Sequence, residues 1–240
     1  MENVTVISHP LVQHSLTRLR DAGTPSGEFR RLVGEVATLM LYEATRELAV
    51  APQSVRTPVA RARGTRLASQ VLLVPIMRAG LGMLEPMLQL IPGARVGFVG
   101  WSYGGFLAAR AMLDADTPLA AAIAGAPPTD WTLYDTAYTE RYLGLPDGGR
   151  AEAYAQSNLV NRAALLSKPL MLIHGTADDN VLFDHTLRLI QALQNEGKLF
   201  ETAIYPGHAH SVAGRKARLH LARTQFDFFQ RHLAPAQRPR

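Results

Sequence analysis

The six residues Gly100-Trp101-Ser102-Tyr103-Gly104-Gly105 restrict what this chain can fold into more than any other stretch. The apolar run before them, Arg95-Val96-Gly97-Phe98-Val99, predicts a short buried strand. The run after them, Phe106 to Leu113, predicts a helix. Strand, G-x-S-x-G, helix is the pattern of a nucleophile elbow. A serine hydroxyl must stand exposed on a tight turn, and the flanking glycines let the chain pass without clashes. The backbone N–H of Tyr103 and the N-terminus of the helix then face a developing oxyanion. A glycine-rich turn with an idle serine has the same letters, so the partners found downstream decide between the two.

The chain has 240 residues, 47% of them hydrophobic, enough for one sizeable core or two small ones. It has no cysteine, which excludes a disulfide framework and thiol chemistry. Met1-Glu2-Asn3-Val4-Thr5 lacks the pattern of a signal peptide, and no window is apolar enough to span a bilayer. A cytoplasmic protein without membrane association is the expectation. The net charge of +5 is concentrated in front, where residues 1–98 hold 11 arginines and 7 acidic residues. The densest run, Arg61-Ala62-Arg63-Gly64-Thr65-Arg66, has no interleaved aromatics, so it is read as a solvated hairpin turn and not as a nucleic-acid contact.

Val12, Leu16 and Leu19 share one helical face. Phe29, Leu32, Val33, Val36, Leu39 and Met40 continue at spacings of three and four, which predicts an amphipathic helix to about Leu48. Residues 51–67 suggest a short ribbon or extended arm. From Gln70 the grammar becomes strand, helix, strand. Strands are expected at 71–77, 95–99, 119–125, 170–173 and 201–205. Helices are expected at 81–90, interrupted early by Pro86, at 186–196 and at 219–233. An irregular aromatic-rich insert fills roughly 127–165. The fold class is therefore α/β, with a parallel sheet of about five strands and an N-terminal helical and extended arm. The expected division is residues 1–69 as the arm, 70–233 as the sheet domain and 234–240 as a disordered tail.

Two stretches carry resemblances. Val6-Ile7-Ser8-His9-Pro10-Leu11, Tyr42-Glu43-Ala44-Thr45-Arg46 and Val74-Pro75-Ile76-Met77-Arg78-Ala79-Gly80-Leu81 make residues 1 to about 97 similar to the N-terminal part of a uracil phosphoribosyltransferase. That resemblance implies that Arg78 helps bind phosphoribosyl pyrophosphate, and that the N-terminal arm supports a homodimer. Residues from about 98 to 233 resemble the C-terminal half of a peptidase of the prolyl oligopeptidase class, closest to dipeptidyl peptidase IV. The residues that carry this are the elbow, Tyr138-Thr139-Glu140-Arg141-Tyr142-Leu143-Gly144-Leu145-Pro146, and His174-Gly175-Thr176-Ala177-Asp178-Asp179-Asn180-Val181. The chain thus reads as a chimera, a partial phosphoribosyltransferase joined to a partial α/β-hydrolase within the strand 95–99.

Ser102, Asp178 and His210 each follow a predicted strand, in the chain order of the α/β-hydrolases. His210 is the expected general base and Asp178 its orienting partner. Asp179 and His208 are rivals by position, and the peptidase resemblance points to Asp178 and His210. It also implies that Tyr103, Trp131, Tyr134, Tyr138, Asn180 and Val181 form a small apolar pocket for proline or alanine. No metal and no cofactor is expected. The expected function is a serine peptidase acting on a peptide or small ester. Activity is expected to be weak, because the resemblance leaves the propeller, the amino-terminus-holding glutamates and the second oxyanion donor without counterparts. The alternatives are a uracil phosphoribosyltransferase forming uridine monophosphate, which would lack its phosphate and uracil loops, and a catalytically silent interaction module.

Overall fold

The computed structural model describes residues 4–233. The expected tail at 234–240 lies outside the described residues. The chain forms two compact units, one made of residues 1–73 with 80–94, the other of residues 74–79 with 95–240. The division does not fall at 69/70. Residues 80–94, read with the sheet domain, belong to the first unit because their helix packs against an N-terminal one.

In the first unit, α1 (Pro10–Leu19) starts with proline at its first turn, where the missing N–H costs nothing. The His9 side chain caps it, accepting from Leu11 N at 3.2 Å. Helix α2 (Ser26–Ala44) ends four residues before the expected Leu48. The chain there tightens into i→i−3 bonds from Arg46 to Glu43 and from Leu48 to Thr45. Strands β1 (Val50–Arg56) and β2 (Arg61–Leu67) form an antiparallel ribbon from Val50↔Leu67 to Arg56↔Arg61. The basic run is β2 itself, solvated along its whole length, and not the hairpin turn expected. The turn is Thr57-Pro58-Val59-Ala60, where Thr57 Oγ1 accepts from the amides of Val59 and Ala60. The strand expected over 71–77 is two short pieces, β3 (Leu72–Leu73) and β4 (Ile76–Met77). Pro75, which has no N–H to donate, falls between them. Helix α3 (Leu81–Leu90) continues through Pro86 instead of breaking there. Gly34 of α2 makes room for that ring, since a Cβ at position 34 would lie 3.0 Å from Pro86 Cγ.

The second unit is a parallel sheet in the order β4, β5 (Arg95–Trp101), β6 (Ala121–Gly125), β7 (Leu170–Gly175), β8 (Glu201–Tyr205). The register runs Met77↔Gly100, Trp101↔Gly125, Ile173↔Gly125 and Gly175↔Tyr205, so all the strands end along one edge. β6 and β7 are buried at every position, which explains their unbroken apolar runs. Helix α4 (Tyr103–Met112) packs on the alanine-rich β6. The insert holds two 3₁₀ turns and two short helices, α5 (Thr136–Leu143) and α6 (Ala151–Ser157). Helices α7 (Asp184–Asn195) and α8 (Arg215–Leu233) complete the unit. Arg95 at the head of β5 donates to the Leu233 carbonyl that ends α8, at 3.0 Å. Among the described residues no helix is long and apolar enough to cross a membrane.

Candidate active site

The elbow forms where the sequence puts it. β5 ends at Trp101 and Ser102 takes φ 57°, ψ −122°, a left-handed conformation that costs a non-glycine residue about 1–3 kcal/mol. The surroundings hold it there. Ser102 N donates to Gly125 O at 2.8 Å, and Phe106 N to Ser102 O at 2.9 Å. Two glycines allow the turn. A Cβ on residue 100 would lie 2.0 Å from Gly104 O, and one on residue 104 would lie 2.6 Å from Met77 O on β4. The Tyr103 amide stands in the first turn of α4, where N–H groups have no helical partner.

Asp178 and His210 come from the next two loops along the same edge. Ala177 N donates to His208 O at 3.0 Å and Thr176 N to Tyr205 O at 3.1 Å, so the loop after β7 is pinned to the loop after β8. Asp178 is buried. Its Oδ1 accepts from the amides of Asn180 and Val181, each at 3.0 Å, and its Oδ2 stands 2.8 Å from His210 Nδ1. A ring nitrogen facing a carboxylate carries the proton, which leaves the lone pair of His210 on Nε2. Among the described residues no hydrogen bond joins that nitrogen to Ser102 Oγ. The rivals stand elsewhere. Asp179 is exposed, and His208 Nδ1 accepts from Ala213 N at 3.3 Å while its ring packs edge-on against Tyr205.

A second histidine, which sequence reasoning did not assign a role, shares the carboxylate. His174, at the end of β7, is wholly buried. Its Nε2 lies 3.1 Å from Asp178 Oδ2 and 2.9 Å from Val181 O, both acceptors, so Nε2 bears the hydrogen. Its Nδ1 accepts from Thr186 Oγ1 at 2.7 Å. Burial pushes the His174 imidazole below its ordinary pKa and favours this neutral form. Asp178 therefore receives donors on both oxygens, from two amides and two imidazoles. In the sequence, His174 is a lone histidine ending an apolar strand, a pattern that an ordinary core histidine shares.

The expected pocket residues are brought together around Trp131. Its ring lies 5.9 Å from Tyr138, stacked, 5.8 Å from Tyr134, edge-on, and 6.0 Å from Tyr103. Phe106, not singled out by sequence, is a fourth neighbour at 5.2 Å. Tyr134 Oη donates to Asn180 Oδ1 at 2.8 Å, tying the insert to the Asp178 turn. Burial raises the pKa of both Tyr134 and Tyr138, so each keeps its phenolic hydrogen. Val181 is fully buried, its amide donating to Asp178 Oδ1 and its carbonyl accepting from His174. Arg78, expected at a phosphoribosyl site, stands 5.9 Å from the centre of the Tyr103 ring, beside the elbow.

Residues 86–236 match the family model described as the prolyl oligopeptidase family. The chain belongs to the prolyl oligopeptidase family. A second model, uracil phosphoribosyltransferase, matches residues 6–103 and overlaps the first across α3, β5 and the elbow. This prolyl oligopeptidase family chain is 41% identical to dipeptidyl peptidase 8 of Mus musculus over 148 residues, 59% of its own length and 17% of that protein's. It is 57% identical to the uracil phosphoribosyltransferase of Kineococcus radiotolerans over 98 residues, 40% of its own length and 46% of that enzyme's. The chain thus spans less than half of either relative. Dipeptidyl peptidase 4 of Porphyromonas gingivalis has a similar fold, with a TM-score of 0.62 and 22% identity over 82% of this chain and 38% of that one.

Proposed function

We propose that this chain is a serine-type hydrolase in which Ser102, His210 and Asp178 act as a catalytic triad on a peptide or small ester. One observation carries the reading: the 2.8 Å pairing of His210 Nδ1 with a buried carboxylate, on the same sheet edge as a serine in a left-handed turn. Ser102 Oγ attacks the substrate carbonyl as His210 Nε2 takes its proton, giving a tetrahedral oxyanion that accepts from the Tyr103 amide. The imidazolium then gives that proton to the leaving group as the bond to it breaks. Water, deprotonated by His210, releases the acid from the acyl-enzyme. Asp178 holds the imidazole in the required tautomer and stabilises its charged form. Trp131, Tyr134, Tyr138 and Tyr103 give the acyl group an aromatic cleft, with Asn180 fixing Tyr134. Slow turnover is expected, since a missing second oxyanion donor costs roughly 10²–10³ in rate.

The test is covalent labelling with a fluorophosphonate probe, followed by identification of the labelled residue. Label on Ser102, lost in Ser102→Ala, together with hydrolysis of a chromogenic ester lost in the same variant, is the expected result. A folded protein that leaves Ser102 unlabelled refutes the reading. Uridine monophosphate formed from uracil and phosphoribosyl pyrophosphate, and lost in Arg78→Ala, would support the transferase reading that the 57% identity favours.

A further inference from the structure

The aromatic cleft is one stretch of a longer row of rings with an arginine at each end. Arg78 lies over the Tyr103 ring at 5.9 Å. Tyr103 neighbours Trp131 at 6.0 Å, Trp131 stacks on Tyr138 at 5.9 Å, and Tyr138 meets Tyr142 at 5.0 Å. Arg141 lies over the Tyr142 ring, again at 5.9 Å. Trp131 is buried and forms the floor. Tyr103, Tyr138 and Tyr142 are 38%, 37% and 67% exposed, so the row presents its rings to solvent.

Neither guanidinium is spent on an acid. Both arginines are exposed, and among the described residues no carboxylate pairs with either. The acids beside the row have other work. Asp135 caps α5 by accepting from Tyr138 N at 2.8 Å, and Asp130 accepts from the Thr132 amide and hydroxyl. Asp178 is buried under its own donors. A guanidinium over a ring at this distance is drawn to the ring face and keeps its N–H groups free for a carboxylate. The Arg78 charge also reaches Tyr138, where it opposes the upward push that burial gives the phenol.

We propose that this row is a subsite for acidic peptides, with apolar residues against the rings and carboxylates drawn to Arg78 at one end and to Arg141 at the other. The rings supply sequence-tolerant apolar contact. The two cations supply selection by charge. Arg78 is the sharper element of the two, because β4 lies parallel to β5 and the segment after β4 opens beside the elbow. The subsite assigns a substrate class to the hydrolase reading and rests on it only for cleavage; binding is measured apart from it.

The experiment uses full-length Ser102→Ala protein, so that no peptide is consumed. A fluorophore-labelled acetyl-Glu-Ala-Glu amide is titrated by anisotropy against its Gln-Ala-Gln twin. The acidic peptide is expected to bind about tenfold tighter at low salt, the scale of one or two charge-assisted hydrogen bonds. The preference is expected to fall several-fold in Arg78→Gln and in Arg141→Gln, to vanish in the double variant and to shrink with added salt. Arg78→Lys, which keeps the charge and loses the planar fork of donors, should fall between. Equal binding of the two peptides overturns the proposal, and so does a preference that survives the double variant. Both arginines are exposed, so unchanged circular dichroism and thermal unfolding show that these variants fold. If Ser102 is not labelled by fluorophosphonate while the acidic preference holds, the hydrolase reading fails and the subsite stands; the reverse result separates them the other way.

Discussion

The indole Nε1 of Trp101 donates to the backbone carbonyl of His210 at 2.6 Å. The residue before Ser102 thus holds the loop that carries His210, across 109 positions of sequence. The ring reaches it by lying across the end of β6. A Cβ on residue 125 would come within 2.0 Å of that ring, so only glycine fits at the β6 terminus. Elbow, β6 end and base loop are in this way fixed by one side chain.

Trp101→Phe keeps an aromatic ring and removes the donor. The His210 carbonyl is then left to water, and the variant should lose about 1 kcal/mol of stability, the usual net value of one hydrogen bond. Fluorophosphonate labelling of Ser102 should slow by roughly tenfold, since His210 is held less closely to its productive position. The two readouts are a thermal melt and a labelling time course. Labelling at the parent rate with a lowered Tm would show that the bond supports the fold alone.

His174 holds Asp178 as Trp101 holds the His210 loop. His174→Leu removes a buried donor from Asp178 Oδ2 and strands the Thr186 hydroxyl. Leaving such groups unpaired costs about 1–3 kcal/mol. His174→Gln, whose amide can donate from a similar place, should recover part of the labelling rate. If the leucine and glutamine variants label equally, measured per folded molecule, His174 has only a packing role.

The elements that carry chemistry were legible because their signals are local. Gly100-Trp101-Ser102-Tyr103-Gly104 specifies its own turn, Asp178 follows the apolar run of β7, buried throughout, and His210 follows the mixed, partly exposed run of β8. The aromatic insert was legible as a group through resemblance, and Trp131 does gather Tyr103, Tyr134 and Tyr138. What escaped depends on contacts between distant positions. His174 and Trp101 act through partners that no periodicity reveals. The basic run at 61–66 reads as a turn from its local composition, whereas Thr57-Pro58 makes the turn and leaves the run as a strand.

His185 gives the protein an acid-sensitive joint away from the triad. Its Nδ1 accepts from the Thr129 amide at 3.1 Å, which places the hydrogen on Nε2, a buried atom with no partner among the described residues. Burial, the largest cause, pulls its pKa down to about 4. The unfolded chain binds this proton near pH 6.5 and the folded chain does not until about pH 4. Stability from this group is therefore complete above about pH 6.5 and falls as the pH drops toward 4, by a few kcal/mol. His185→Asn, whose carbonyl can accept from the Thr129 amide and which cannot titrate, should flatten that part of the curve. Denaturant midpoints at intervals between pH 7 and 4 decide it; parallel curves for parent and variant would assign the acid sensitivity to other groups.

Ser102 itself should be a cost to the fold. Its φ of 57° is unfavourable for any residue with a Cβ and free for glycine. Ser102→Gly releases roughly 1–3 kcal/mol of backbone strain and pays back about 0.5–1 kcal/mol through the greater freedom of the unfolded chain. A net gain of about 1 kcal/mol is expected, read as a Tm raised by a few degrees. Ser102→Ala keeps the Cβ and should show no such gain, although both variants lose the hydroxyl and, on the proposed reading, all fluorophosphonate labelling. The comparison between glycine and alanine isolates the strain, because the hydroxyl is absent from both. A glycine variant no more stable than the alanine one would mean that the elbow is relaxed, and the 2.8 Å bond from Ser102 N to Gly125 O would then be holding a turn under no load.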